Sequence, residues 1–139
     1  MLRRAAIVAR RHWIGGATLA AAIVALVWLL QTDRDETQID VRVPDLSPAA
    51  RAGQEAFAAN CASCHGPAAG GTDQGPPLVH GIYEPGHHAD AAFVLAAKRG
   101  VPQHHWDFGS MPPQPQVGER SLQQIIAYVR ELQRANGIE

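Results

Sequence analysis

Apolar residues recur at helical spacing near the end of the chain. Between Glu119 and Ala135, five of them share one helix face with a period close to 3.6 residues. They are Leu122, Ile125, Ile126, Val129 and Leu132. This stripe predicts an amphipathic helix over 119–135, with Tyr128 at the edge of its buried face. Arg130 and Arg134 lie in its last turns, where cations favour the helix dipole.

Two earlier helices are predicted from start and stop signals. Ser47 and Pro48 are a favoured N-cap and first-turn pair, so a helix begins at Pro48, runs through Asn60 and continues into the next residues. Asp90 is expected to cap a second helix over 91–99, ended by a glycine. The Gly- and Pro-rich segments 66–88 and 101–117 predict long loops. No stretch alternates like a strand, so the predicted fold class is all-α.

The N-terminal part carries a different pattern. Residues 13–30 are eighteen consecutive residues without a charge, and a helix of that length covers about 27 Å, enough to cross a bilayer core. Four arginines precede the run and acidic residues follow it. The positive-inside rule then places residues 1–12 in the cytoplasm and the rest of the chain outside it. Residues 31–46 are expected to be a linker, and residues 47–139 one domain.

A cleaved signal peptide is the alternative for this segment, because it shares the basic start and the apolar middle. Cleavage favours small residues after the apolar run, whereas here the run ends in Val27-Trp28-Leu29-Leu30. A retained single transmembrane helix is therefore favoured. Either way the domain is exported.

Charge excludes one class of partner. Residues 31–139 hold eight basic residues and all 13 acidic ones, a net charge of −5. Nucleic-acid binding requires a basic face, so we expect no nucleic-acid partner.

The pentapeptide Cys61-Ala62-Ser63-Cys64-His65 carries the strongest chemical signal. Two thiols one turn apart, followed at once by an imidazole, are the attachment pattern of c-type haem. A redox Cys-x-x-Cys pair would want a βαβ context, which is absent from the pattern. A zinc site would need a fourth ligand and the adjacent Cys64 and His65 on one ion. A disulfide would close a very small loop and stabilise little.

Met111 is the candidate for the opposite face of the haem. The chain has two methionines, and the other is Met1, across the membrane. Pro112 and Pro113 stiffen the neighbouring backbone and would fix the direction of the sulfur. Methionine/histidine ligation raises the reduction potential and suits electron transfer. The alternative is an ordinary core methionine.

The motifs CASCHG, GPPL and GSMPP, before a final helix ending in YVREL, resemble a small bacterial class I cytochrome c. The resemblance covers residues 47–139. It implies a class I cytochrome c fold, with three main helices and long loops around one covalent haem c, here preceded by the N-terminal transmembrane helix.

The resemblance also implies roles for single residues. Cys61 and Cys64 would form the thioether bonds, and His65 and Met111 would be the axial ligands of the iron. The carbonyl of Pro76 would accept a hydrogen bond from the His65 imidazole. Gly53, Phe57 and Tyr128 would form the contact between the first and last helices.

The loops are unusually rich in histidine. The five beyond the haem motif are His80, His87, His88, His104 and His105. Some could bond the haem propionates together with Tyr83 and Trp106, one could replace Met111 on the iron, or several could form a separate copper or zinc site. Neighbouring histidines in an extended chain point to opposite sides, so each pair is expected to offer one ligand and a metal site would need both loops.

The predicted function is that of a membrane-anchored monohaem electron carrier, not an enzyme, in the bacterial inner membrane with its haem domain in the periplasm. The resemblance implies a cytochrome bc complex as donor and a terminal oxidase or a membrane dehydrogenase as partner. Two alternatives stay open at this point: a haem-based sensor, small-molecule binder or peroxidase-like enzyme with an open iron site, and a fixed cytochrome subunit of a larger oxidoreductase complex.

Overall fold

The structure is a computed structural model that describes residue 22, residues 24–26 and residues 38–139. The chain divides into two compact units, Met1–Asp35 and Glu36–Glu139. Residues 22 and 24–26 of the first unit are helical. Most of the predicted transmembrane segment, 13–30, lies outside the described residues. Within the described ranges, no helix is both long and apolar enough to span a membrane.

The second unit is all-helical, as predicted. Four α-helices are α1 (Pro48–Asn60), α2 (Ala62–His65), α3 (Asp90–Arg99) and α4 (Glu119–Ala135), and one short 3-10 helix covers Gly81–Tyr83. Among residues 38–139 the extended pairing consists of one isolated antiparallel bridge, Val101 with Met111. This 3-10 helix lies within segment 66–88, for which the glycine and proline content predicted a loop without regular structure.

Helices α1 and α4 cross in close contact, which confirms the predicted pairing of the first and last helices. An added Cβ on Gly53 would lie 1.9 Å from the carbonyl oxygen of Gln124, so only glycine permits this approach. One turn further along α1, Phe57 meets Tyr128 edge to face with ring centroids 5.5 Å apart. Both rings are fully buried. The crossing therefore fixes α1, and the residues that follow it, against α4.

The substitution Gly53→Ala should be strongly destabilising. The clashing atom belongs to backbone, so the helices must separate, and we expect a loss of about 3 kcal/mol or more, the upper end for overpacking. Gly81→Ala is the matched control, because nothing lies within 4 Å of an added Cβ there. Urea unfolding of the haem-loaded protein followed by circular dichroism measures both. Equal stability of the two variants would contradict the close-approach argument.

Helix α4 has the predicted bounds, and its whole apolar stripe is buried. The prediction for Tyr128 was wrong. Tyr128 lies in the core rather than at the edge of the buried face, and its hydroxyl donates to the carbonyl of Pro67 at 3.0 Å. Arg130, for which the sequence predicted only a favourable position relative to the helix dipole, is 7% exposed. Both side chains donate hydrogen bonds to loop carbonyls, and these partners cannot be predicted from the apolar period of the helix.

The start of α3 also differs from the prediction. Ala89 is the N-cap, without a side-chain hydrogen bond, and Asp90 is the first helical residue. The Asp90 carboxylate instead accepts from Arg130 Nε at 2.8 Å. Gly100 ends the helix as predicted, with a φ of 72°. An ion pair with α4 thus takes the place of a local cap.

Residues 38–46 have no regular secondary structure and lie against the helices. Leu46 is buried in the main core, and Ile39 donates its N–H to the carbonyl of Gly70 at 2.8 Å. Ser47 is the N-cap of α1 as predicted, since its Oγ accepts from Ala50 N at 3.2 Å. The same hydroxyl donates to Glu131 of α4 at 2.6 Å. The cap therefore also ties α1 to α4.

Candidate functional site

One pocket lies between the helices and the two long loops. It encloses about 400 Å³ and its walls are mainly apolar, a volume within the range of ligand and cofactor sites. The sequence predicts five haem-binding residues, and four of them line this pocket: Cys61, His65, Pro76 and Met111. The fifth, Cys64, does not line it. We call this cavity the central pocket.

His65 ends α2 with its ring buried against the pocket. Its Nδ1 lies 2.8 Å from the carbonyl oxygen of Pro76. A carbonyl only accepts, so Nδ1 carries the proton and Nε2 keeps a free lone pair, the form in which histidine ligates metals. Burial lowers the pKa of His65, and the hydrogen bond to Pro76 opposes this shift in part. The imidazole is thus neutral and oriented before any metal binds.

The two cysteines differ in their relation to the central pocket. Cys61 is half-buried in its wall, whereas Cys64 is exposed. Burial, reinforced by the neighbouring Cys64, raises the pKa of Cys61 to about 11. A redox Cys-x-x-Cys pair requires a lowered pKa, so this environment disfavours that alternative.

The predicted continuous helix through the motif is interrupted. Cys61 has a φ of −125°, outside helical geometry, and separates α1 from α2. Its N–H still donates to the carbonyl of Phe57, and its carbonyl still accepts from His65 N, at 2.8 and 2.9 Å. The chain therefore bends at the first thiol without losing its hydrogen bonds.

Glycines set the path of the loop behind the motif. A Cβ on Gly75 would lie 3.0 Å from the Cβ of Cys64, so the loop passes directly over the second cysteine. Gly71 N donates to the His65 carbonyl at 2.8 Å, and Gly66, with a φ of 76°, makes the turn between them. This path brings Pro76 to the imidazole. The Gly-Pro pair at 75–76 was visible in the sequence, but the contact with Cys64 was not.

Met111 reaches the central pocket from the second loop. Its N–H and carbonyl both bond to Val101, each at 2.9 Å. A Cβ on Gly100 would lie 2.5 Å from the Met111 carbonyl oxygen, so glycine is needed where α3 ends. The backbone thus fixes Met111 independently of its side chain. Its assignment as an axial ligand stays a prediction.

Trp106 and Tyr83 line the same pocket. The indole Nε1 of Trp106 is buried and has no hydrogen-bond partner among the described residues. Burial raises the pKa of Tyr83, and the Trp106 indole near its hydroxyl opposes this shift in part, although the two groups do not meet the geometry of a hydrogen bond. An orphaned buried donor needs an acceptor, and a haem propionate is one. Together with the Cys61 thiol, the neutral His65 and the apolar walls, this N–H makes the pocket fit a haem.

Arg130 and Gln133 hold the loop at the pocket edge, a role that the sequence did not indicate. Arg130 donates to the carbonyl of Tyr83 at 2.9 Å, to the carbonyl of His88, and to Gln133 Oε1 at 2.6 Å. Gln133 donates to the carbonyls of Leu78 and Tyr83 at 2.8 and 3.0 Å. Two buried side chains of α4 therefore satisfy three backbone carbonyls of this loop.

Four histidines of the two loops lie together beside the central pocket. This histidine cluster comprises His87, His88, His104 and His105, whose neighbouring rings have centroids 4.3–6.3 Å apart. Partial desolvation and the adjacent imidazoles lower the pKa of His105. His80 stands apart as the cap of the 3-10 helix, accepting from Ile82 N at 3.2 Å.

Comparisons with known proteins agree with this geometry. A family model described as Cytochrome c matches residues 50–133. Two curated relatives are named Cbb3-type cytochrome c oxidase subunit CcoP, one from Rhodobacter capsulatus and the other from a specified strain of that species. The chain is 35% and 34% identical to them over 86 residues. These matches cover 60% of this chain but 29% of each relative. No solved structure matches.

Proposed function

The chain belongs to the cytochrome c family, and we propose that it is a membrane-anchored monohaem carrier that passes single electrons between membrane redox partners on the periplasmic side. Family membership makes it a haem electron-transfer protein with one covalently bound haem c. When bound, the haem supplies a one-electron change at its iron. Cys61 and Cys64 would hold it through thioether bonds, and His65 and Met111 would ligate its iron.

The presence of His65 and Met111 in one pocket carries this proposal. Nε2 of His65 is free and its ring is oriented by Pro76, and the loop that bears Met111 is fixed by its bridge to Val101. With both an imidazole nitrogen and a thioether as ligands, the iron would have no open coordination position, which suits electron transfer rather than binding of small molecules.

The remaining pocket residues set the environment of the iron. The mainly apolar walls exclude water and lower the local dielectric, and the Trp106 N–H offers a hydrogen bond to a propionate. Leu95 of α3 lines the pocket and is 48% exposed, so the pocket reaches the surface there. Electrons would enter and leave there during brief docking with a partner.

The sequence supports the membrane anchor. Residues 13–30 carry no charge and follow four arginines, which favours a single span with residues 31–139 outside the cytoplasm. Tethering raises the effective concentration of the domain at membrane partners. We propose a cytochrome bc complex as donor and a terminal oxidase as acceptor.

A fixed subunit of an oxidoreductase complex is the second candidate. The relatives named as oxidase subunits favour it, and the chain spans 29% of their length. Such a subunit would use the same ligands but would stay bound to its complex.

Carbon monoxide titration of the reduced full-length protein tests the ligand set. We expect no binding, and a sulfur-to-iron charge-transfer band in the oxidised protein. Rapid stoichiometric binding would contradict the closed iron site.

Purification in mild detergent separates the two candidates: a haem protein that migrates alone favours the carrier, and one that co-purifies with oxidase subunits favours the fixed subunit.

A further inference from the structure

Three histidines from two loops offer nitrogen atoms to one point in space. One ring nitrogen each of His87, His88 and His105 lies within 4.8 Å of the other two. His87 and His105 are exposed and His88 is half-buried, so an ion could enter from solvent. His104 lies directly beside them, with its ring centroid 4.3 Å from that of His105.

Hydrogen bonds to the backbone orient two members of the histidine cluster. Nδ1 of His88 lies 2.6 Å from the carbonyl oxygen of Ile82, and Nδ1 of His104 lies 2.8 Å from that of Pro102. Each carbonyl fixes the proton on Nδ1 and leaves Nε2 free. Metal-ligating histidines are typically held by such a bond from the second ring nitrogen.

The backbone beneath the cluster is held as well. The N–H groups of His87 and His88 both donate to the carbonyl of Glu84, at 3.1 and 2.8 Å, which makes a compact turn. Arg130 of α4 donates to the His88 carbonyl. In the second loop, Gln103 donates to Asp107 at 2.9 Å. The first loop therefore presents His87 and His88 from a fixed backbone, which reduces the entropy cost of binding.

We propose that His87, His88 and His105 bind one divalent transition-metal ion, separate from the haem iron. Neutral imidazoles suit Zn²⁺ and Cu²⁺, whereas Mg²⁺ and Ca²⁺ require oxygen ligands that this set lacks. Three nitrogen ligands leave at least one coordination position for water or for a fourth group.

Occupancy would also act on the central pocket, a consequence that rests on the proposed function. Three members of the histidine cluster also line that pocket: His88, His104 and His105. A dication at its edge favours the more negatively charged state of any nearby redox centre. We therefore expect the metal to shift the midpoint potential to more positive values.

Metal titration of the holoprotein tests the site. The full-length protein, carrying no polyhistidine tag, is stripped with a chelator and titrated with Zn²⁺ by calorimetry. We expect one saturable site, weakened about tenfold or more by His87→Gln or His105→Gln. Cu²⁺ should give an electron paramagnetic resonance spectrum with hyperfine coupling to several nitrogens, reduced in both variants.

His80→Asn is the matched control, because asparagine keeps an acceptor at the cap of the 3-10 helix and removes an imidazole outside the cluster. It should leave Zn²⁺ affinity unchanged. The absence of saturable binding, binding that survives the double variant His87→Gln/His105→Gln, or equal weakening by His80→Asn would overturn the site. These readouts do not depend on electron transfer, so failure of the proposed function would leave them intact.

Discussion

The double substitution Cys61→Ala/Cys64→Ala should abolish covalent haem and leave the domain largely unfolded. The central pocket has a volume of about 400 Å³ and mainly apolar walls. Without the haem this apolar surface loses its cover, and a domain this small has little stability to spare. The core offers no replacement, because α1 contributes few large apolar side chains besides Phe57. Denaturing electrophoresis with haem staining and far-ultraviolet circular dichroism measure both effects.

Ser63→Ala is the control for this experiment. Ser63 lies between the two cysteines and is exposed. Among the described residues, the one hydrogen-bond partner of its Oγ is the Cys64 Sγ, at 4.0 Å. It should retain covalent haem and parental stability. A double cysteine variant as stable as the Ser63→Ala protein would refute the view that the haem completes the core.

Local sequence signals accounted for the helices because those signals act within a few residues. The stripe from Leu122 to Leu132 gave the bounds of α4, since an apolar period reports directly which face is buried. Gly53 and Phe57 were placed at the α1–α4 contact through the family resemblance, and the structure confirms that contact.

The burial of Arg130 could not be predicted, because its partners are backbone carbonyls of a loop more than 40 residues earlier. A cation in the last turns of a helix has the same sequence signature whether it faces solvent or a loop. The assignment of Asp90 as a cap failed for the same reason, since its carboxylate pairs with Arg130 rather than with its own helix.

The histidine cluster shows a second limit. Neighbouring histidines were expected to point to opposite sides, which holds for an extended chain. His87 and His88 instead sit in a turn closed on the carbonyl of Glu84, so both offer a nitrogen to the same point. The expectation that a metal site would need both loops is consistent with the position of His105. The direction of the two imidazoles depends on the conformation of the loop, and glycine and proline content does not determine that conformation.

Met111→Ala should lower the reduction potential and open the iron to ligands. Both bonds between residue 111 and Val101 are made by backbone atoms, so alanine keeps the loop in place and removes only the thioether. Loss of the methionine sulfur destabilises the ferrous state. We expect a decrease on the order of 0.1–0.2 V, within the roughly 0.8 V range that axial ligands cover. Redox titration measures it, and carbon monoxide should now bind the reduced protein.

Leu95→Ala is the control for Met111→Ala, because it shortens a pocket side chain without removing a ligand of the iron. Leu95 lines the same pocket but carries no ligand atom, so its loss should leave the charge-transfer band and carbon monoxide resistance intact. If Met111→Ala behaves like Leu95→Ala, the distal ligand is a nitrogen. The three pocket-lining members of the histidine cluster then become the candidates, because His80 does not line the pocket. His88 or His105 on the iron could not also bind Zn²⁺, whereas His104 on the iron would leave all three proposed Zn²⁺ ligands free. The Zn²⁺ titration of the holoprotein therefore distinguishes these candidates.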